Sequence, residues 1–323
     1  MTRFGYHASH EQYPPSELLS LVRAAEDAGF GAAMCSDHFH PWTEAQGESG
    51  FAWSWLGAAL QATSLSFGTV NAPGWRYHPA VVAQAAATLA EMFPGRFWVA
   101  AGSGEALNEA ITAEPWPPKP ERNARLRECV DVIRALWRGE TVTHAGRVRV
   151  QEARLYTLPA APPPLFGAAL SEETAGLAGG WADGLLTVGG PRDALDRMIA
   201  AFRRGGGEGK PVYVQHALSW APTDDEARRG AHEQWRFSAL GGEVLPMLRT
   251  PAQFAAASGF VTPDDVARRI RVSPDPARHA AWLQEYVELG VDRVYLFNVN
   301  RGQRAFIEAF GEGVLPQLRG SAR

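Results

Sequence analysis

Short apolar runs alternate with longer amphipathic segments along the whole chain. The apolar runs predict eight β-strands, near residues 3–7, 32–36, 66–70, 96–101, 164–168, 184–188, 211–219 and 292–298. The intervening segments predict helices near 15–28, 52–63, 79–92, 121–137, 171–181, 192–204, 264–270, 276–289 and 301–312. Strands that alternate with helices in this way form parallel sheets. We therefore expect a single (β/α)8 TIM barrel over residues 1–323, with an open doubly wound sheet as the alternative.

Two segments interrupt this alternation and predict insertions. The stretch 139–159 has β-rich runs on either side of Ala145-Gly146, which is typical of a β-hairpin. The stretch 220–262 is partly helical and contains a loop at Gly241-Gly242. Outside the insertions, Ser171 has the properties of a helix N-cap, because acidic residues follow it in the first turn.

Charge and cysteine content exclude several classes of protein. The formal net charge of -4 argues against nucleic acid or an anionic membrane as the main partner. The two cysteines, Cys35 and Cys129, lie in apolar or helical patterns and do not suggest a disulfide framework. The first residues lack the pattern of a signal peptide, and no uncharged run reaches the ~20 residues of a membrane span. We therefore expect a cytoplasmic protein.

The segment 36–42 follows the second strand, at the barrel end where such proteins place their chemistry. It contains Asp37, His38, His40 and Trp42, for which three interpretations compete. They are a polar loop with capping roles, a metal site built on two imidazoles of an extended segment, and acid–base chemistry beside an aromatic wall. The ends of strands five and six carry no imidazole or carboxylate that would complete a metal site. We therefore favour acid–base chemistry and expect no metal.

Other loops at this end favour binding of a flat, phosphorylated ligand. Gly102 and Gly104 allow close backbone approach and precede Glu105, although a plain turn is equally compatible and the lysine of a P-loop is lacking. Asn71 could bond to a ring edge, the alternative being a structural turn with Arg76 in an ion pair. The helix beginning at Ser171 could bind phosphate through its free N–H groups, helped by the turn 187–190.

Together these segments resemble the F-420-dependent glucose-6-phosphate dehydrogenase branch of the luciferase-like monooxygenase superfamily. The resemblance extends over nearly the whole chain. It rests on Gly5-Tyr6-His7-Ala8-Ser9, Ser36-Asp37-His38-Phe39 with Pro41-Trp42, Arg76-Tyr77-His78-Pro79-Ala80-Val81, Gly102-Ser103-Gly104-Glu105-Ala106-Leu107-Asn108-Glu109 and Arg125-Leu126-Arg127-Glu128. It implies a barrel that binds a flavin-like ring in its mouth and passes hydride at the ring centre.

The resemblance also implies roles for individual residues. Asp37 would contact the coenzyme, and Asn108 would support binding of its ring. His38 would act as base or orienting group on a substrate hydroxyl, Trp42 would pack at the reacting centre, and Glu105 would act as an acid near the ring. The candidate catalytic residues are therefore His38, Glu105 and Trp42. The candidate cofactor-binding residues are Asp37, Thr69, Asn71, Gly102, Ser103, Asn108, Ala169, Ser171, Thr187 and Gly189, and the candidate substrate-binding residues are Trp75 and Arg269.

The chain departs from the family pattern at two places. The loop 69–74 lacks the usual Ser-Val pair and is one residue shorter. In the family, two lysines and an arginine bind the substrate phosphate, whereas Gly190 and Leu245 stand at the lysine positions here and only Arg269 is retained. The chain is most similar to a subgroup thought to have returned to ordinary flavin. We therefore predict FMN as cofactor, with coenzyme F-420 (F420) as the alternative, and do not expect oxidation of glucose 6-phosphate.

The sequence thus predicts a flavin-dependent oxidoreductase that transfers hydride between a small organic substrate and a flavin. The alternatives are an F420-dependent dehydrogenase of an alcohol or sugar and a monooxygenase that uses reduced FMN and oxygen. A metal-dependent barrel hydrolase is the alternative from another class. The expected partners are the small-molecule substrate, a second copy of the chain in a homodimer and, as a candidate, a flavin reductase. Nucleic acid and membranes are not expected as partners.

Overall fold

Eight parallel strands form a closed barrel in the computed structural model of the chain, which describes residues 1–320. The barrel strands are β1 (Arg3–Ala8), β2 (Ala32–Cys35), β3 (Phe67–Asn71), β4 (Phe97–Ala101), β7 (Leu165–Ala168), β8 (Gly184–Val188), β9 (Val212–Ser219) and β11 (Arg293–Asn298). They are hydrogen-bonded in this order, and β11 pairs with β1 to close the ring. The predicted (β/α)8 barrel and all eight of its strands are confirmed.

Helices follow the strands and cover the barrel. They are α1 (Pro15–Asp27), α2 (Ala52–Ala62), α3 (Pro79–Met92), α4 (Ala106–Glu109), α5 (Lys119–Trp137), α6 (Glu172–Gly179), α7 (Arg192–Phe202), α8 (Asp224–Trp235), α9 (Pro251–Ala257), α10 (Pro263–Ala267), α11 (Pro276–Glu288), α12 (Gln303–Gly313) and α13 (Leu315–Gly320). Several begin with a proline in the first turn, where its missing N–H needs no partner. No helix among the described residues is long and apolar enough to cross a membrane.

Two segments add structure outside the barrel. The strands β5 (Val142–Ala145) and β6 (Arg149–Ala153) form an antiparallel hairpin between α5 and β7. The stretch 220–262 contains α8, two short 3₁₀ helices at 236–239 and 245–247, and α9. A two-residue strand, β10 (Arg271–Val272), then pairs in parallel with Leu218 and Ser219 at the C-terminal end of β9, beyond the β9 residues that pair with β8.

Large aromatic side chains fill the interior of the barrel. Trp98, Phe166, Tyr213 and Tyr295 come from four different strands and contact one another, with the rings of Phe166 and Tyr213 stacked at 4.3 Å. Gly68 leaves the space that the Trp98 indole occupies, because a Cβ at this position would lie 1.9 Å from the ring. Since the interior is filled, a ligand has to bind above it, at the C-terminal ends of the strands.

Candidate active site

Glu11 and His38 form a carboxylate–imidazole pair at the barrel mouth. Glu11 follows β1 and His38 follows β2, and their Oε1 and Nε2 atoms lie 3.5 Å apart. The hydroxyl groups of Ser9 and Ser36 donate hydrogen bonds to the other carboxylate oxygen of Glu11. The side chain of Glu11 is 4% exposed and that of His38 is 15% exposed. The serines therefore fix the carboxylate, and the Nδ1 atom of His38 is buried without a hydrogen-bond partner among the described residues.

The electrostatics of this pair favour a neutral imidazole beside a charged carboxylate at neutral pH. Burial alone would raise the pKa of Glu11, but the interactions with His38 and Ser36 lower it below its ordinary value. Burial lowers the pKa of His38, and the charge of Glu11 only partly opposes this effect. The imidazole can therefore accept a proton, and the carboxylate stabilises the imidazolium that results.

Asp37 is held by donors from the last residue of β3 and from the loop that follows it. Its carboxylate accepts hydrogen bonds from Asn71 Nδ2 at 2.9 Å and from the Tyr77 hydroxyl at 3.1 Å. An Arg76 Nη2 atom lies 3.3 Å from Asp37 Oδ1, and the Nε of Arg76 lies 3.4 Å from Glu109 Oε1. The ion pair considered for Arg76 from the sequence is thus present, and it joins the loops that follow β2, β3 and β4.

Glu105 lies after β4, and its Oε2 atom is buried without a hydrogen-bond partner among the described residues. Burial raises the pKa of Glu105 to about 7, and the charges of Glu109 and Glu11 act in the same direction, whereas Arg122 opposes them. Glu105 can therefore hold a proton near neutral pH. Its position is consistent with the acid role implied by the resemblance, which remains a prediction.

Trp42 connects the acid–base groups to an apolar wall. Its ring lies 5.0 Å from that of His38 and stacks on Phe237 at 4.9 Å, while Phe254 meets it edge-on at 5.3 Å. Both phenylalanines are buried and belong to the insertion 220–262. Leu245 packs against the same cluster. The side of the mouth next to His38 is therefore aromatic and apolar.

Four further predicted cofactor residues lie on the β3–β4 side of the mouth. Asn108 accepts hydrogen bonds from the backbone N–H groups of Phe39 and His40, so it fixes the loop that carries His38. Thr69 is completely buried and donates to the carbonyl of Cys35 within the sheet. Gly102 and Ser103 are partly exposed between β4 and Glu105. Asn108 therefore contacts the loop that carries His38, whereas the hydrogen bond donated by the Thr69 hydroxyl is made within the sheet.

The β7–β8 side is less available than the sequence suggested. The N–H of Ala169 donates to Leu186 and that of Gly189 donates to Gln215, so neither is free for a phosphate. Thr187 is buried, and since side chains alternate along a strand, its side chain points to the face of the sheet opposite to that of the exposed Val188. A phosphate bound on this side would take its donors from the start of α6.

Ser171 caps α6 and has an unexpected cationic neighbour. Its hydroxyl accepts a hydrogen bond from the N–H of Thr174 and another from the ammonium of Lys119, at 3.0 Å. Lys119 begins α5, far from Ser171 in the sequence. The start of α6 therefore combines helix N–H groups with a positive charge.

Among the described residues, the two predicted substrate residues make no recorded hydrogen bond, ion pair or ring contact with His38. Trp75 is 8% exposed, with the Arg125 guanidinium 4.0 Å from its ring centre and the Trp116 ring at 5.0 Å, so little of its surface is left for a substrate. Arg269 is exposed at the end of α10, and its guanidinium has no ion-pair partner among the described residues. No group of three or more His, Cys, Asp or Glu side chains in that part of the chain is arranged to hold a metal ion.

Sequence reasoning missed Glu11, Glu109, Lys119 and Arg122 as site residues. Glu11 lies two residues beyond the matched segment 5–9, and no spacing rule links it to His38. Lys119 and Arg122 lie on a helix that reads as an ordinary amphipathic segment. The one available signal for Glu109 was its place at the end of the matched segment 102–109.

Comparisons with known proteins agree with this architecture. The family model for luciferase-like monooxygenases matches residues 1–293. An F420-dependent glucose-6-phosphate dehydrogenase of Beutenbergia cavernae is 36% identical, with 100% of this chain and 99% of that protein aligned. Its counterpart from Nakamurella multipartita is also 36% identical, with 98% and 96% aligned.

Solved structures give the same result. An F420-dependent secondary alcohol dehydrogenase in complex with an F420-acetone adduct is 31% identical, with a TM-score of 0.90 and coverage of 98% of this chain and 99% of that one. A coenzyme F420-dependent tetrahydromethanopterin reductase from Methanopyrus kandleri has a TM-score of 0.78 at 21% identity, which supports the fold alone. The chain therefore belongs to the luciferase-like monooxygenase family and is an oxidoreductase built on the (β/α)8 barrel of that family.

Proposed function

We propose that this enzyme is an F420-dependent dehydrogenase that oxidises an uncharged secondary alcohol to a ketone. The names of the relatives at 31–36% identity all specify F420, which supports this coenzyme over the FMN expected from the shortened loop 69–74. When bound, F420 would supply a ring that accepts hydride from the alcohol carbon. The assignment to a flavin-using subgroup has no comparable support.

The mouth has polar groups that fit such a ring. The Oδ1 atom of Asn71, the Nδ1 atom of His7 and the Oε2 atom of Glu105 are buried and lack partners among the described residues. Buried polar atoms are rarely left unpaired in a native protein, so these atoms fit the heteroatoms of a bound ring. Asp37 would contact the ring from the β2 loop, and the start of α6 with Lys119 would hold the phosphate.

The observation that carries the proposal is the Glu11–His38 pair. Removal of hydride from an alcohol carbon requires that the hydroxyl proton leave as well. His38 would accept this proton, and Glu11, 3.5 Å from Nε2, would stabilise the imidazolium. Glu105, whose pKa burial raises to about 7, would hold a proton close to the ring as the ring gains negative charge. Each residue thus handles one proton of the reaction.

The apolar wall and the missing cations support an uncharged substrate. A phosphate dianion needs charge-assisted hydrogen bonds, each of which contributes about 1.5–3 kcal/mol. Leu245 packs into the apolar cluster, and apart from Gly190 and its two chain neighbours no heavy atom of residues 1–320 lies within 4 Å of a Cβ placed at Gly190. Trp42 and Phe237 instead present aromatic surface next to His38. We therefore expect 2-propanol or a larger secondary alcohol to be oxidised and glucose 6-phosphate to be a poor substrate.

Cofactor titration and turnover test the proposal. Fluorescence titration should give tighter binding of F420 than of FMN, and deazaflavin absorbance should fall on addition of secondary alcohol but not of glucose 6-phosphate. His38→Ala should lower turnover by about 10²–10⁴ with F420 affinity retained. His40→Ala is the matched control, because the one hydrogen bond of the His40 ring within the described part of the chain goes to the Leu107 carbonyl. The proposal would be contradicted if the protein binds FMN but not F420, or if it oxidises glucose 6-phosphate efficiently. Wild-type turnover by His38→Ala would also contradict it.

A further inference from the structure

Two arginines of α5 enclose a pair of tryptophans beside the loop that carries Glu105. The Arg125 guanidinium lies 4.0 Å from the ring centre of Trp75, the rings of Trp75 and Trp116 are 5.0 Å apart, and the Arg122 guanidinium lies 4.8 Å from Trp116. We call these four residues the α5 stack. Cation–aromatic contacts of this kind hold planar groups in a fixed orientation.

Each end of the α5 stack is bonded to a different loop of the mouth. Arg125 Nη1 donates to the carbonyl of Gly74 after β3, and Arg122 Nη1 donates to the carbonyl of Gly104 after β4, both at 2.9 Å. Gly104 has φ +83°, and a Cβ at this position would meet Glu109 and Trp116 at 3.2 Å. The Arg122 bond therefore fixes the residue that directly precedes Glu105.

Arg122 also has the charge and burial needed to influence Glu105. It is 6% exposed, and its Nε atom lacks a hydrogen-bond partner among the described residues. The other charged groups that face Glu105 are Glu109 from α4 and Glu11 from the loop after β1, and both oppose its ionisation. Arg122 is the one positive charge among the groups that shift the pKa of Glu105.

We propose that Arg122 is a positioning residue that fixes the Gly104 turn and keeps a positive charge beside the Glu105 carboxyl. It acts through Glu105, and its importance for turnover rests on the function proposed above. Arg125 lies at the opposite end of the same stack, bonded to Gly74 and paired with Glu114 instead. A neutral variant at Arg125 therefore loses a stacking contact but keeps the positive charge near Glu105, whereas a neutral variant at Arg122 loses both.

The test is a titration of Glu105 that does not require turnover. The protein is labelled with ¹³C at the glutamate carboxyl, and the Glu105 signal is identified by its absence in Glu105→Gln. Arg122→Met and Arg122→Gln should each raise the pKa of Glu105 by about one pH unit, because a favourable opposite charge is lost. Arg122→Lys keeps the positive charge, so the pKa of Glu105 should stay close to its value in the unmodified protein. Arg125→Met should leave the titration of Glu105 unchanged. Arg122→Gln keeps a donor for Gly104 in case the methionine variant does not fold.

The outcomes separate this proposal from the proposed function. The role of Arg122 would be overturned if the pKa of Glu105 is unchanged in both Arg122→Met and Arg122→Gln. It would also be overturned if Arg125→Met shifts this pKa as much as the Arg122 variants do. The pH profile of turnover in Arg122→Gln should shift in the same direction as the titration. If the pKa of Glu105 shifts but the pH profile of turnover does not, the result would support the placement of Arg122. It would contradict the role of Glu105 in the reaction.

Discussion

Arg76→Met should destabilise the protein strongly, because Arg76 neutralises two buried carboxylates. The side chains of Arg76, Asp37 and Glu109 are 7%, 1% and 2% exposed. Removing one partner of a buried ion pair costs about 3–5 kcal/mol, since the other charge is left uncompensated. Asp37 keeps its hydrogen bonds from Asn71 and Tyr77. We therefore expect the free energy of unfolding to fall by about 3 kcal/mol, the lower end of this range.

The loss in Arg76→Met should depend on pH in a defined direction. Burial already raises the pKa of Glu109 to about 7, with Arg76 opposing the effect, so the pKa should rise further without Arg76. A carboxyl whose folded-state pKa exceeds its unfolded value binds extra protons when folded, so its contribution to stability falls as pH rises between the two values. The destabilisation should therefore be larger near about pH 8 than near about pH 6.

Denaturant unfolding at both pH values measures this effect, with unchanged slope as evidence that the folded state is intact. Arg127→Met is the control, because Arg127 pairs with Asp131 on the surface, where the side chains are 52% and 57% exposed. Exposed pairs of this kind contribute at most about 0.5 kcal/mol. If Arg76→Met loses no more stability than Arg127→Met, or loses more at the lower pH, the account of the buried network is wrong.

Two further substitutions test the fold around the mouth. Ser171→Ala removes the N-cap of α6 and the acceptor of Lys119, and should lower the free energy of unfolding by about 1 kcal/mol; an unchanged value would show that the cap contributes nothing. Gly68→Ala should lower the free energy of unfolding by about 1–3 kcal/mol or more, because the added Cβ would lie 1.9 Å from the Trp98 ring. Gly190→Ala is its control, because no heavy atom of the residues that the structure describes lies within 4 Å of the added Cβ, and equal stability of the two variants would contradict this explanation.

The fold could be predicted from sequence because its signal is repeated along the chain. Every barrel strand is a short apolar run, and every covering helix has an apolar face, so one ambiguous segment could not change the overall pattern. Positive-φ glycines such as Gly29 and Gly290 end helices where the pattern stops. For the stretch 220–262 the sequence predicts only partial helix, because the helices after α8 are too short to show a helical period.

The active site was only partly predictable, for a geometric reason. Asp37 and His38 could be found because the end of β2 has to lie at the mouth. Their partners come from other loops: Glu11 is 27 positions before His38, and Arg76 reaches both Asp37 and Glu109. No pattern in one sequence states which side chains of separate loops meet. Backbone donors such as Gly189 were overestimated because their use within the sheet depends on register.

The mouth divides into two parts that come from different regions of the chain, and this division bears on substrate choice. The acid–base groups follow β1, β2 and β4, where the barrel fixes their positions. The apolar wall comes from the insertion 220–262, which meets the acid–base side where Phe237 and Phe254 pack on Trp42. Changes in that insertion can therefore alter the surface offered to a substrate while His38 and Glu105 keep their places. A barrel that matches relatives named for a sugar phosphate over its whole length can therefore carry the Glu11–His38 pair beside an apolar wall.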